Sequence, residues 1–215
     1  MKRNWKYIAT ETLIVIIGIM IAFWINNLSS NYKDSQALEE NLTSIINDLA
    51  VDLRSIDEII ASQKEKIEDF KSMKSMLTGK NPDWPSLSSL ISKQQSSPTF
   101  YPITSTFQST VSSGKIDLIK DLSTKKDLFQ LYEFTYKKAV YNGQLYDQSH
   151  IEYYDKRLVS YMDFDTNNII DREGIRSQQV LNSLSYLIDE ARDYIELLEN
   201  VRKENQALNA VIGRS

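Results

Sequence analysis

The sequence predicts an all-α protein: an N-terminal transmembrane helix followed by an antiparallel bundle of three long helices with short extra helices. Three observations predict it. Leu13 to Ile25 is a 13-residue apolar run interrupted only by Gly18. Helix breakers are scarce and clustered, with 6 glycines in 215 residues and all four prolines between Pro82 and Pro102. Between them, apolar residues recur at helical spacing over long intervals.

Residues 1–6 form a cytoplasmic leader and 7–28 the transmembrane helix. At about 1.5 Å per residue, 22 residues reach roughly 33 Å, enough for a hydrocarbon core of about 30 Å. Tyr7 and Trp24 suit the two interfaces. Lys2, Arg3 and Lys6 precede the run and no charge falls between Asn26 and Tyr32, so the positive-inside rule keeps the amino terminus in the cytoplasm. A cleaved signal peptide would need small residues at −3 and −1. Asn27 with Ser29, or Leu28 with Ser30, fit poorly, which favours an uncleaved anchor. Glu11, Gly18, Ala22 and Asn26 fall within a sector of roughly 80° on this helix. Gly18 and Ala22 form a small-xxx-small pair, and lipid tolerates Glu11 and Asn26 poorly. The face reads either as a contact surface for a second helix, or as Glu11 snorkelling at one interface with Asn26 marking the other.

Residues 29–215 form the extracytoplasmic helical domain. Its first helix runs from about 31 to 78. Leu42, Leu49, Ile56, Gln63, Phe70 and Leu77 repeat every seven residues, and Ile46, Leu53, Ile60, Ile67 and Lys74 form a second series, as in a coiled-coil seam. Gly79 caps it. An irregular connector spans 79–103, with a short helix near 86–93 after the Asn81–Pro85 turn. Trp84 is read as packed onto the bundle end. A short helix follows from 105 to 113, then a turn holding Ile116, Leu118, Ile119 and Leu122. Ser123 caps the next long helix, which reaches about Met162 with Leu128, Leu131, Tyr132, Ala139, Tyr146, Tyr153 and Leu158 inward and Gly143 its weak point. The last helix, about 175–211, carries the stripe Leu181, Leu184, Ile188, Ala191, Ile195 and Leu198.

Composition narrows the chemistry. The absence of cysteine excludes thiolate sites and disulfides, and a single histidine argues against histidine-centred catalysis. Residues 1–28 carry three basic groups and one acid. The other 187 residues carry 22 basic and 28 acidic, net −6, which argues against nucleic acid or anionic lipid as partner of the outer domain. His150 with Asp147 and Tyr154 shares a helix face suited to a metal or a proton, but reads first as a helix-surface residue. The segment Asp163–Gly174 matches a calcium loop at positions 1, 3, 5, 8 and 9. It departs at the sixth, where Asn168 replaces glycine, and at the twelfth, where Gly174 stands with Glu173 one residue early. The competing reading is an acidic turn. Seven of the twelve tyrosines lie between Tyr132 and Tyr161, as packing at a partly wet seam or as a ligand pocket. No phosphate loop, nucleophile elbow or zinc-protease motif is present.

Tyr7 with Glu11, the run Ile17–Ala22 and Ile25-Asn26-Asn27, followed by Phe107, Ser113-Gly114, Leu118-Ile119, Leu122 and Leu131-Tyr132, resemble an uncharacterised family of single-pass membrane proteins from Bacteroidota. Thr10 and Leu28 stand where that family usually has glycine and tryptophan. The resemblance implies one N-terminal membrane helix in a Gram-negative inner membrane and a helical periplasmic domain. It supplies no catalytic residue.

The expectation is therefore a non-enzymatic envelope protein without a cofactor or bound metal. It sits in the bilayer through residues 7–28 and pairs with itself or another envelope protein, not with nucleic acid. The alternative is a periplasmic ligand-sensing module. With about six residues before the span, a partner would have to carry its signal.

Overall fold

A computed structural model describes residues 5–213. Lys2 and Arg3 of the expected leader lie outside the described residues, as do the side chains of Lys6 and Tyr7. The architecture is all-α, apart from a hairpin of two two-residue strands.

Helix α1 runs unbroken from Trp5 to Thr78. No proline interrupts it, and its one glycine, Gly18, is tolerated as a single helix-interior residue. After it come α2 (Trp84–Lys93) and α3 (Ser105–Ser112), then a 3₁₀ turn over Lys115–Leu118 and α4 (Leu122–Phe129). A π-helical segment over Gln130–Thr135 joins α4 to α5 (Tyr136–His150), and a second covers Ile151–Asp155. The hairpin β1 (Met162–Asp163) and β2 (Asn168–Ile169) pairs Met162 with Ile169. Helix α6 is Gln178–Ile212.

Caps explain the starts. Asp83 opens α2 by accepting from the Ser86 amide, and Ser177 opens α6. The cap expected at Ser123 is Asp121 instead, whose carboxylate takes the Ser123 and Thr124 amides and both hydroxyls. These bonds hold its pKa down to about 2. The shorter side chain of Ser123 is itself a donor to that carboxylate, so the helix begins two residues earlier. Gly114 has φ +72°, a backbone that only glycine adopts cheaply, and it turns the chain between α3 and the 3₁₀ turn.

The chain divides into two compact units. One comprises residues up to 45 with 105–120; the other comprises 46–104 with 121–215. In the first, α1 carries an 18-residue window of mean hydropathy 2.0, none of it buried, long and apolar enough to cross a membrane. Its large apolar residues from Leu13 to Leu28 are 46–66% exposed. Phe107, Thr110, Ile116 and Ile119 are buried in this unit.

The second unit holds the larger core. Asn205 donates to the Leu49 carbonyl, Arg202 to Asp57, Lys74 to Ser185, and Arg176 to the Leu77 carbonyl, so contacts along α1 and α6 run in opposite chain order. From Leu49 onward the first expected heptad series of α1 is buried throughout. In the second series only Ile60 and Ile67 are buried, while Ile46, Leu53 and Lys74 are half-exposed. A third series at the same period, Ile45, Asp52, Ile59, Lys66 and Met73, is buried as well. The buried stripe is therefore the broad one of a globular helix, wider than a two-series seam.

The π-segments answer a spacing problem. Buried residues along 128–158 fall at Leu128, Leu131, Tyr132, Tyr136, Ala139, Gly143, Tyr146, His150, Tyr154 and Leu158, with Leu131 beside the series that Leu128, Tyr132 and Tyr136 form. Steps of four dominate both ends, where an α-helix would drift off its face by about 40° per step. Each π-turn, at Gln130–Thr135 and Ile151–Asp155, inserts a residue and restores the face. The second one brings Tyr154 inward in place of the expected Tyr153, which is half-buried.

Candidate functional site

After α2 the chain crosses the second unit as an extended segment without regular structure, residues 96–104. A partly buried segment without a strand partner must have its peptide groups satisfied by side chains. Here they are, in strict alternation. The Gln94 carbonyl lies 3.1 Å from His150 Nε2, the Ser96 carbonyl accepts from Lys66 Nζ at 2.8 Å, and the Pro98 carbonyl accepts from Gln63 Nε2 at 3.1 Å. The Phe100 amide then donates to the Tyr194 hydroxyl at 2.8 Å. Positions 96, 98 and 100 alternate with the period of two of an extended chain, and Gln94, the C-cap of α2, precedes them. Side chains of α1, α5 and α6 thus replace a neighbouring strand.

Each donor is positioned by helical spacing. Gln63 and Lys66 are three apart on α1, and Tyr146, His150 and Tyr154 are four apart along α5 and the second π-segment. Tyr146 donates to Gln63 Oε1 at 2.7 Å, so that amide is engaged on both sides. Tyr154 donates to the Ile91 carbonyl and packs its ring 5.6 Å from Phe70 and 4.7 Å from His150. Gly143 fits here because a Cβ would lie 3.2 Å from the Tyr194 hydroxyl and 3.3 Å from Thr99. The apparent weak point of α5 is the place where the crossing segment approaches it.

Burial sets the electrostatics. It pushes Lys66 down to about 8, with Asp147 and Asp155 opposing. Burial and the Lys66 charge lower His150 to about 4, against the bond to Gln94. His150 is 3% exposed, which corrects the helix-surface reading. A carbonyl can only accept, so Nε2 carries the proton of the neutral ring. Asp147, expected beside it, accepts from Thr99 at 3.3 Å. His150, Asp147 and Tyr154 are therefore brought near one another, but each serves a different partner.

A second buried cluster lies near Asp52. Its carboxylate accepts the Ile103 amide at 3.0 Å, and burial raises its pKa to about 6, opposed by hydrogen bonds from Ile103 and Tyr136. Asn205 donates to both the Leu49 carbonyl and the Tyr136 hydroxyl, at 3.1 and 2.7 Å. Burial also raises the pKa of Tyr132 and Tyr136.

The remaining sequence candidates fall elsewhere. Glu11, Gly18, Ala22 and Asn26 are exposed on α1, and a Cβ at Gly18 would meet nothing within 4 Å. Trp84 is half-buried, with the Arg172 guanidinium 5.2 Å over its ring. In the acidic loop, Asp163 binds the Asp165 amide and the Thr166 hydroxyl, and Asp171 binds the Glu173 and Gly174 amides. The left-handed residue is Asn167, φ +51°, rather than Asn168. Its carbonyl and side chain accept from Ser88 and Ser92, which ties the hairpin to α2. The loop carboxylates thus stabilise turns. Among the described residues no three acidic, histidine or cysteine groups are placed to hold a metal ion.

An open cleft of about 730 Å³ lies between α5 and α6, with Tyr153 and Tyr186 at one end and Lys138 at the other. The tyrosine rings divide between these roles: Tyr146 stacks on Tyr194 inside at 5.1 Å, while Tyr153 meets Tyr186 at 4.3 Å on the cleft side.

These features define a class: an all-α chain with one exposed apolar helix segment and a body whose buried polar side chains fasten an extended crossing segment. The chain belongs to a family of unknown function (DUF6090), which matches residues 11–187. No curated protein and no solved structure matches it.

Proposed function

We propose that this is a non-enzymatic, membrane-anchored envelope protein that presents a helical domain for protein–protein interaction or scaffolding. In this reading residues 7–28 span the inner membrane with the amino terminus in the cytoplasm. Residues 29–215 form an antiparallel bundle of three long helices in the periplasm. One observation carries the reading: large apolar side chains from Leu13 to Leu28 stay exposed on a helix of membrane-spanning length. The basic residues before the run support the orientation, and the resemblance to the Bacteroidota family supports the compartment. The non-enzymatic part rests on the use of the buried polar groups. Lys66, His150, Gln63, Tyr154 and Asp52 are engaged with peptide groups of the crossing segment and its flanks.

The exposed face of Glu11, Gly18, Ala22 and Asn26 suits self-association within the bilayer. Crosslinking the full chain in native membranes tests the interaction role. Discrete adducts with itself or another envelope protein are expected. A strictly monomeric, partnerless species would contradict it. The cleft between α5 and α6 keeps ligand sensing as the second reading, and a small molecule that specifically raises the melting temperature would favour that one.

A further inference from the structure

We infer that the cleft between α5 and α6 is a docking surface for a basic amphipathic helix of another envelope protein. This names the partner chemistry of the interaction role proposed above and rests on that role. Two stripes frame the cleft. Lys138, Asn142, Leu145 and Ser149 follow one another along α5 at steps of four, three and four. Glu190, Asp193, Leu197 and Asn200 do so along α6 at steps of three, four and three. The cleft continues past Leu197 and Asn200 into a second hollow of about 490 Å³ beside the exposed Phe134. From Phe134 to Tyr153 the rise is about 29 Å, the length of a five-turn helix. The cleft is open along this length, which suits an elongated occupant; small molecules are held in enclosed pockets.

Floor and wall define that occupant. Leu145 and Leu197 offer partly exposed apolar surface, continued by the Tyr153–Tyr186 pair. Glu190, Asp193 and Glu196 stand along α6 without an ion pair among the described residues, and Glu190 accepts from the Ser149 hydroxyl at 3.4 Å, which bridges the two walls of the cleft. Glu152 on the opposite side is already held by Lys156 and Arg157. An apolar stripe flanked by uncompensated carboxylates complements a helix with leucine-type residues on one face and lysine or arginine beside it. A second copy is a poor occupant. Residues 29–215 carry 22 basic and 28 acidic groups, so two outer domains repel.

The absence of cysteine makes the test direct, since Leu145→Cys in the cleft and Val51→Cys on exposed α1 each accept a single fluorophore. The full chain in detergent is titrated with a synthetic leucine–lysine peptide of amphipathic order, and with a scrambled peptide of equal composition. A saturable response at position 145 to the ordered peptide only, and none at 51, is expected. Affinity should fall at least ten-fold in the triple variant Glu190→Gln, Asp193→Asn, Glu196→Gln. It should be unchanged when Asp34, Glu39 and Glu40 are neutralised instead. No response at 145, equal responses at 145 and 51, or equal losses in both triple variants would overturn the assignment. If crosslinking in native membranes still captured a partner, the interaction role would stand with its surface elsewhere.

Discussion

Two stretches of α1 invert the usual order of a protein. Between Leu13 and Leu28, large apolar side chains face outward; between Asp52 and Lys66, an aspartate, a glutamine and a lysine are almost fully buried. The difference lies in what each stretch meets. The first has no protein around it and is suited to lipid, which asks only that the backbone be satisfied within the helix. The second meets an extended segment whose amides and carbonyls need partners, and apolar side chains would leave them orphaned. Side-chain polarity on α1 therefore follows the solvent or backbone it faces, not a fixed inside-out rule.

The contrast breaks most visibly at Gln63. Replacing it with leucine would leave the Pro98 carbonyl and the Tyr146 hydroxyl without their partner. Two buried unsatisfied groups cost on the order of 2–5 kcal/mol, measurable as a lower urea midpoint for the body in detergent. Replacing Ile17 with glutamine, a larger polarity change on paper, should leave that midpoint alone, because its side chain is already exposed.

Acid titration sharpens the comparison next. His150 is held at about 4 in the folded chain against about 6.5 unfolded, so its contribution is complete above pH 6.5 and fades as pH falls toward 4. The full effect is on the order of 3 kcal/mol. Asp52 opposes it: with a folded value near 6 it favours the folded state at low pH and loses that contribution as pH rises from about 4 to 6. The two slopes nearly cancel in the wild type, so His150→Asn should leave the Asp52 contribution alone and gain stability relative to the wild type as pH falls from 6.5 to 4. An unchanged slope would mean that the ring is not buried as described.

Smaller effects follow. Tyr154→Phe keeps the ring against Phe70 but removes the donor to the Ile91 carbonyl, for a loss of about 1–2 kcal/mol in the same unfolding measurement. Lys93→Ala, which breaks an exposed pair with Glu65 and a pair with half-buried Asp69, should lower stability by no more than about 1 kcal/mol.

Much of the fold was legible in the sequence because helix signals are local. The breakers at 79–102, the apolar run and the stripe of α6 placed most helices within a few residues. What stayed hidden depends on tertiary contact. Lys66 shares its heptad phase with Ile45, Ile59 and Met73, so the buried series was present. It reads as polar because Asp52 and Lys66 interrupt it. His150 looked exposed because its neighbours in sequence are polar, whereas its partner, the Gln94 carbonyl, is 56 residues away. The exchange of Tyr153 for Tyr154 follows from a π-turn, which is set by the fit of the whole helix to its neighbours. The Glu11, Gly18, Ala22 and Asn26 face rests on helical spacing alone: all four residues are exposed on α1, and no side chain lies within 4 Å of a Cβ at Gly18.

Alkaline extraction of membranes from cells expressing the full chain tests the central claim most directly. The protein should stay in the pellet through the alkaline wash, be released only by detergent, and become soluble and folded when residues 9–28 are removed. Recovery of the intact chain in the soluble fraction without detergent would contradict it.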